Sequence, residues 1–220
     1  MIIFSGLDGA GKTTQIELLK KNFDQNRIKN EIIWSRGGYT KGMELIKKIL
    51  RSTHNNSIPK PGRSEEREEK FNKVYIRKIW LFLSILDLIL LYCIYFRIKA
   101  LLGTTIIADR YLLDTAIDFK LNFSDEKVEE WPLWRFINWC APKPDKHFIA
   151  LIPVSESLKR SKQKEEPFPD TEEVLIYRKK SYENYLQHNR NAVQIDGLKG
   201  INEIHNFILK ELVFENFIVK

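Results

Sequence analysis

Residues 6–13 read Gly-Leu-Asp-Gly-Ala-Gly-Lys-Thr, the spacing G-x-x-x-x-G-K-[ST], directly after the apolar run Met1-Ile2-Ile3-Phe4. Glycines at a strand end let the backbone curl so that successive N–H groups point inward and cradle the phosphates of a nucleoside triphosphate. In that arrangement Lys12 reaches the β- and γ-phosphates, and the Thr13 hydroxyl ligates Mg²⁺. A helix starting near Gly11, with Ile16, Leu18, Leu19 and Phe23 apolar, adds its positive end to the same anion site. The expected nucleotide-binding set is Gly6, Leu7, Asp8, Gly9, Ala10, Gly11, Lys12, Thr13 and Thr14.

Short apolar, β-rich runs recur between helical stretches: Ile2–Ser5, Glu31–Trp34, Thr104–Ala108, His147–Ile152 and Ala192–Ile195. Strands alternating with helices make a parallel sheet covered on both faces, with right-handed crossovers. The expected fold is therefore α/β: a three-layer P-loop NTPase fold with a central five-stranded parallel sheet, helices on both faces and a small lid. Helices are expected roughly over 12–25, 41–52, 66–101, 111–120, 130–139, 155–164, 171–189 and 201–212, with a loop over 53–64. The run Glu65–Lys70 reads as a solvated helical face. The chain, 1–220, is expected to be a single domain with a lid segment at about 157–170. The phosphate loop, Arg36, Asp109–Arg110 and Asp196 all follow strands directly, so they gather at the carboxyl rim where such sheets bind ligands.

Composition narrows the partners. Lys and Arg exceed Asp and Glu by 36 to 29, a net charge of +7, but the basic residues are interleaved with acidic ones. That pattern suits anionic small molecules; no zinc-finger, RRM or basic-region pattern points to nucleic acid. Cys93 and Cys140 stand far apart in apolar surroundings and read as buried free thiols in a reducing cytosol. His54, His147, His188 and His205 have no metal-ligand spacing. The first strand and phosphate loop begin at once, with no basic segment ahead of a cleavable apolar core, so the expected location is the cytoplasm.

Trp80–Phe96 is interrupted only by Ser84 and Asp87 as strongly polar groups. Its seventeen residues fall short of the roughly 20 a membrane span needs, and a mid-span charge is costly. We expect a helix buried by core and subunit contacts, forming a homodimer through residues 80–96. Attachment to a membrane or a lipid-linked substrate is the other reading of this segment.

Asp109-Arg110-Tyr111 follows the third strand. An acidic residue there can hold Mg²⁺ through its water shell, and the adjacent arginine can clamp a second phosphate. Here the chain resembles the thymidylate kinase family of P-loop nucleotide kinases. The resemblance is carried by residues 6–14, Arg36-Gly37-Gly38, Ile106–Tyr111, Ser157–Arg160, Tyr182 and Tyr185, and Val193–Asp196. It implies that Asp8 contacts the acceptor's sugar, Arg110 its phosphate and Asp109 the water shell of Mg²⁺. Arg36 and Tyr39, in the turn after the second strand, complete the implied acceptor set. With Gly9-Ala10 in the loop and no arginine there, the resemblance implies that the catalytic arginine comes from the lid. Arg160 is the expected residue, with Lys162 and Lys164 beside it.

The chain also departs from the family pattern. Ser84 and Leu88 stand where the family carries a thymine-stacking Phe and a base-reading Arg. Asp114-Thr115-Ala116-Ile117-Asp118 replaces the usual Ser…Tyr-Gln. The expected function is Mg²⁺-dependent transfer of the ATP γ-phosphoryl to a nucleoside monophosphate, dTMP by default, with Lys12, Arg110 and Arg160 catalytic. A kinase for another small acceptor (a nucleoside, sugar or glycan precursor) and a non-catalytic ATP-binding module are the alternatives.

Overall fold

Every residue of strand β1 (Ile2–Gly6) is buried, so this strand lies at the centre of the sheet with both faces covered. The structure is a computed structural model, and it describes residues 1–37, 40, 71, 73–165 and 169–213. Strand β2 is Asn30–Trp34, β3 Thr105–Asp109, β4 Lys146–Leu151 and β5 Ala192–Asp196. Among the described residues they form one parallel sheet in the order β2-β3-β1-β4-β5. The register pairs Phe4 with both Asp109 and Phe148, and Gly6 with Ala150, so the ends of β1, β3 and β4 reach the same rim.

Helix α1 (Lys12–Gln25) follows the phosphate loop and buries Ile16, Leu19 and Phe23. It packs along β1, β2 and β3 and against α8 (Ile201–Val213). Between β4 and β5 run α6 (Val154–Gln163) and α7 (Glu172–His188), the latter lying on β1, β4 and β5. Strand–helix alternation thus gives the expected layered sheet, with helices on both faces.

The chain divides into two compact units. The first comprises Met1–Trp34, Lys99–Asp114 and Lys143–Lys220, and holds all five strands. The second comprises Ser35–Ile98 and Thr115–Pro142. Its main element is α2 (Val74–Ile89), which continues through a π-helical segment, Leu90–Tyr95, into α3 (Phe96–Leu101). Helix α4 (Leu112–Asn122), two short 3₁₀ turns and α5 (Pro132–Cys140) follow β3.

The second unit has its own core. Phe71, Trp80, Phe119, Phe123 and Trp134 form a chain of ring contacts with centroids 5.3–6.3 Å apart. Such edge and tilted pairs add to the burial energy of the rings themselves. The Arg77 Nε donates to Glu126 at 3.0 Å, and the Ser35 and Tyr92 hydroxyls are hydrogen-bonded at 2.7 Å.

Val74–Leu101 is long and apolar enough to cross a membrane by length and composition, and half of its apolar 18-residue window is buried. Leu81, Ser84, Ile85, Leu88, Tyr92 and Phe96 face inward, whereas Tyr75, Ile79, Phe82, Leu86, Leu90, Ile94 and Ile98 are exposed. From Phe82 to Ile98 these exposed positions recur every four residues. An α-helix turns 3.6 residues at a time and would carry that row off its face, and the wider π turn brings it back.

One expectation is corrected. Cys93 and Cys140 are not free thiols: they form a disulfide, with Cα atoms 5.7 Å apart, and both are only half-buried. Cys93 sits in the π segment against which α5 packs, and Cys140 ends α5. This proximity across 47 residues comes from helix packing and has no trace in the spacing. The free-thiol argument for a reducing compartment therefore falls. The stretch between α4 and α5, where no helix is expected from sequence, contains 3₁₀ turns at Ser124–Glu126 and Val128–Glu130. Tyr39, the helix expected over 41–52, the loop at 53–64 and the Glu65–Lys70 face lie outside the described residues.

Candidate functional site

The loop between β1 and α1 is built from glycines that nothing else could replace at two points. Gly6 has φ +132, and a Cβ there would lie 2.0 Å from the Ala150 carbonyl oxygen. Gly9 has φ +76, and a Cβ there would lie 2.9 Å from the Arg160 Cβ. Both combine a backbone shape that favours glycine with a close approach. Gly11, also left-handed, stands immediately before Lys12, the first residue of α1. The helix therefore presents its N-terminal N–H groups at the loop, as an anion site requires.

Lys12 is buried, and its Nζ donates to the Gly6 and Leu7 carbonyls at 3.0 and 2.7 Å. It lies 3.8 Å from Asp8 Oδ1. Burial and then the Arg110 charge lower its pKa to about 8, with Asp8 and Asp109 pulling it back up. The ammonium is thus held inside the loop by carbonyl oxygens and surrounded by carboxylates.

Asp109 ends β3, paired in register with Phe4. Burial raises its carboxyl above the usual range, against the opposing pull of Lys12 and Arg110. Its Oδ1 is buried and has no hydrogen-bond partner. An orphaned carboxylate oxygen is costly unless a ligand completes it. Arg110 follows with φ +76 and donates to Asp8 Oδ1 at 2.7 Å.

Asp8, Gly9, Gly11, Lys12, Thr13, Thr14, Trp34, Asp109, Arg110 and Lys164 line one cavity of about 210 Å³. The oxygen donors Thr13 and Asp109 suit Mg²⁺, a hard cation that keeps most of its shell as water and phosphate oxygen. Among the described residues no cluster of three His, Cys, Asp or Glu side chains exists, as a caged metal would need. The orphaned oxygen beside a phosphate loop fits a metal carried in with a nucleotide.

Of the expected loop residues, Gly6, Leu7 and Ala10 do not line the cavity, and two further expected site residues are held by other partners. Arg160 does not line the cavity: its guanidinium donates to the Gly9 and Gly197 carbonyls at 2.9 and 3.2 Å and to Glu156 at 2.7 Å. Lys164, one helical turn further on, is the cation from this segment that lines it among the described residues. Arg36, in the second unit, is held bidentately by Asp118, with N–O distances of 2.5 and 3.0 Å.

Sequence reasoning missed the group behind Arg110. Asp114 is 1% exposed; it accepts hydrogen bonds from the Ser5 and Tyr182 hydroxyls and the Tyr111 N–H, and lies 3.6 Å from Arg110 Nη1. Ser5 also bonds the buried His147 at 2.8 Å, and His147 Nδ1 lies 3.4 Å from the Tyr185 hydroxyl. The only sequence signal was that Asp114 stands where a serine is usual.

No family model matches the chain. It is 29% identical over 220 residues to a probable thymidylate kinase of Methanobrevibacter smithii, covering 95% of this chain and 92% of that protein. Against a thymidylate kinase of Sulfurihydrogenibium sp. it is 28% identical, covering 96% and 95%. Against a thymidylate kinase of Plasmodium falciparum it is 25% identical, covering 96% and 88%. Among solved structures, a deoxyadenosine kinase from M. mycoides with bound dATP superimposes with a TM-score of 0.58. That match has 18% identity and covers 96% of this chain and 98% of the other, so the two share a fold.

Proposed function

We propose that this chain, a divergent thymidylate kinase-like protein on a P-loop fold, transfers the γ-phosphoryl of Mg·ATP to a nucleoside monophosphate, dTMP first among them. The observation that carries the reading is that Lys12, Thr13, Asp109 and Arg110 line the cavity at the phosphate loop, with the buried Asp109 Oδ1 unpartnered. Relatives named thymidylate kinase, matched end to end, support it.

Loop N–H groups and Lys12 hold the triphosphate. Thr13 and Asp109 would hold Mg²⁺, which would supply charge neutralisation for the triphosphate. Arg110 grips the acceptor phosphate, and Asp8 the acceptor sugar. An acceptor phosphate oxygen attacks the γ-phosphorus; the bond to the β-phosphate oxygen breaks, and ADP leaves with that electron pair. Such a reaction is mostly positioning and charge neutralisation, so fixed cations are the main requirement. Lys164 is the lid cation facing the transferred group, with Arg160 bracing the loop from behind. We place the enzyme in the cytoplasm as one kinase domain with a lid at 157–170, acting on small nucleotides. We further propose that it is a homodimer through the exposed row on α2 and the π segment.

One observation favours a second reading, a nucleoside acceptor. Both arginines of the expected acceptor set already face carboxylates: Arg110 faces Asp8 and Asp114, and Arg36 faces Asp118. An uncharged hydroxyl does not compete with those ion pairs. Measuring ADP release with Mg·ATP against dTMP, the other (d)NMPs and the free nucleosides separates the two. Turnover with a monophosphate supports the first reading, turnover with nucleosides alone the second, and none with either class overturns both.

A further inference from the structure

We propose that Asp114 is a positioning residue that fixes both the backbone and the guanidinium of Arg110, and thereby sets how tightly the acceptor is held. The inference rests on the reading that Arg110 grips the acceptor. It is carried by the way a strained turn is tied down.

Arg110 has φ +76, a left-handed conformation unfavourable for a residue with a Cβ. Such a backbone persists only where its surroundings over-determine it. On one side the Arg110 N–H donates to the Phe4 carbonyl at 2.9 Å. On the other the Tyr111 N–H donates to Asp114 Oδ2 at 3.1 Å. Asp114 sits in the first turn of α4, where a carboxylate is favoured by the helix dipole and satisfies an N–H that the helix leaves open. The same carboxylate lies 3.6 Å from Arg110 Nη1, while Asp8 takes the other terminal nitrogen at 2.7 Å. One side chain therefore grips both ends of Arg110.

Asp114 is itself immobilised. The Ser5 hydroxyl of β1 donates to Oδ2, and the Tyr182 hydroxyl of α7 donates to Oδ1 at 2.8 Å. A serine in its place has one oxygen and no charge, and cannot serve all four groups. A capping residue alone needs one of these contacts; Asp114 has donors from β1, α7 and the turn after β3, and faces the arginine as well. It never touches the reacting atoms and acts only through Arg110.

The test compares wild type with Asp114→Asn, which keeps the size and one acceptor oxygen but removes the charge. The reactivity of Arg110 towards phenylglyoxal, followed by peptide mass spectrometry, reads the positioning without needing turnover. We expect modification at Arg110 to speed up several-fold, with other arginines unchanged; an unchanged rate in a folded variant overturns the proposal. In steady-state kinetics we expect the acceptor KM to rise about tenfold or more while the ATP KM stays within about twofold, because a small misplacement of a clamping group costs up to ~10². A drop in Tm with both constants unmoved means a purely structural role, and also overturns it. Should Asp114→Asn fail to fold, Tyr182→Phe removes one donor and is read by the same two measurements. Altered Arg110 reactivity in a protein that phosphorylates nothing contradicts the functional reading while leaving the positioning intact.

Discussion

The Arg160 guanidinium donates to the Gly9 carbonyl at 2.9 Å, tying helix α6 to the loop between β1 and α1. Ser157, one turn earlier on α6, donates to the Asp8 carbonyl at 2.6 Å. A planar trans peptide points its N–H opposite its C=O. Holding the Asp8 carbonyl against α6 therefore aims the Gly9 N–H away from α6, and Gly9 is one of the residues lining the cavity. Helix α6 thus fixes the loop's backbone through two of its carbonyls.

Arg160→Ala is therefore expected to weaken ATP binding by about tenfold, roughly the loss of one charge-assisted hydrogen bond. A catalytic lid arginine would instead lower kcat by ~10³ or more with binding retained. Fluorescence titration with a labelled ATP analogue, alongside kcat, separates the two. A large kcat loss at unchanged affinity would contradict the bracing role.

His147 makes stability depend on acid. Burial lowers its pKa to about 4, against 6.5 in the unfolded chain. Below pH 6.5 the unfolded chain takes up a proton that the fold refuses, so stability falls down to about pH 4 and this group contributes no slope above 6.5. The loss amounts to on the order of 3 kcal/mol. Urea denaturation at several pH values checks it: His147→Gln should flatten the decline between pH 6.5 and 4, and an unaltered decline would contradict the assignment.

The exposed row Tyr75, Ile79, Phe82, Leu86, Leu90, Ile94 and Ile98 is larger than isolated surface apolar residues account for. Sedimentation is expected to give twice the 26.1 kDa chain mass. Ile94→Lys, at an exposed position, should shift the protein to a monomer with its Tm little changed. A wild-type monomer would contradict the dimer.

The disulfide gives a further expectation. Closing a loop of 47 residues restricts the unfolded chain and is worth about 4 kcal/mol on the entropic account. Cys93→Ala should lower the unfolding free energy by an amount of that order, and reductant should do the same to wild type but nothing to the variant. Equal stability of oxidised and reduced wild type would contradict it.

What the sequence disclosed was local. The β1–loop–α1 unit is legible because its glycines, Lys12 and Thr13 are consecutive. Each strand is legible to within a residue or so because apolar runs bounded by helices need no distant information. Asp109 and Arg110 stand out because they end a strand. The contacts that were not legible join residues far apart: Cys93 to Cys140, Asp114 to Ser5 and Tyr182, and Arg36 to Asp118. The contacts of Arg160 were not legible for another reason. A basic residue in a lid reads as facing the ligand, and nothing in the spacing indicates that backbone carbonyls of the loop will claim it.

The most direct test of the account is calorimetric titration of Mg·ATP into wild-type protein and Lys12→Ala. The cradle of N–H groups with a buried ammonium predicts one site per chain, weakened at least a hundredfold (about 2.7 kcal/mol) in the variant. Equal binding by both proteins, or no binding by wild type, would contradict it.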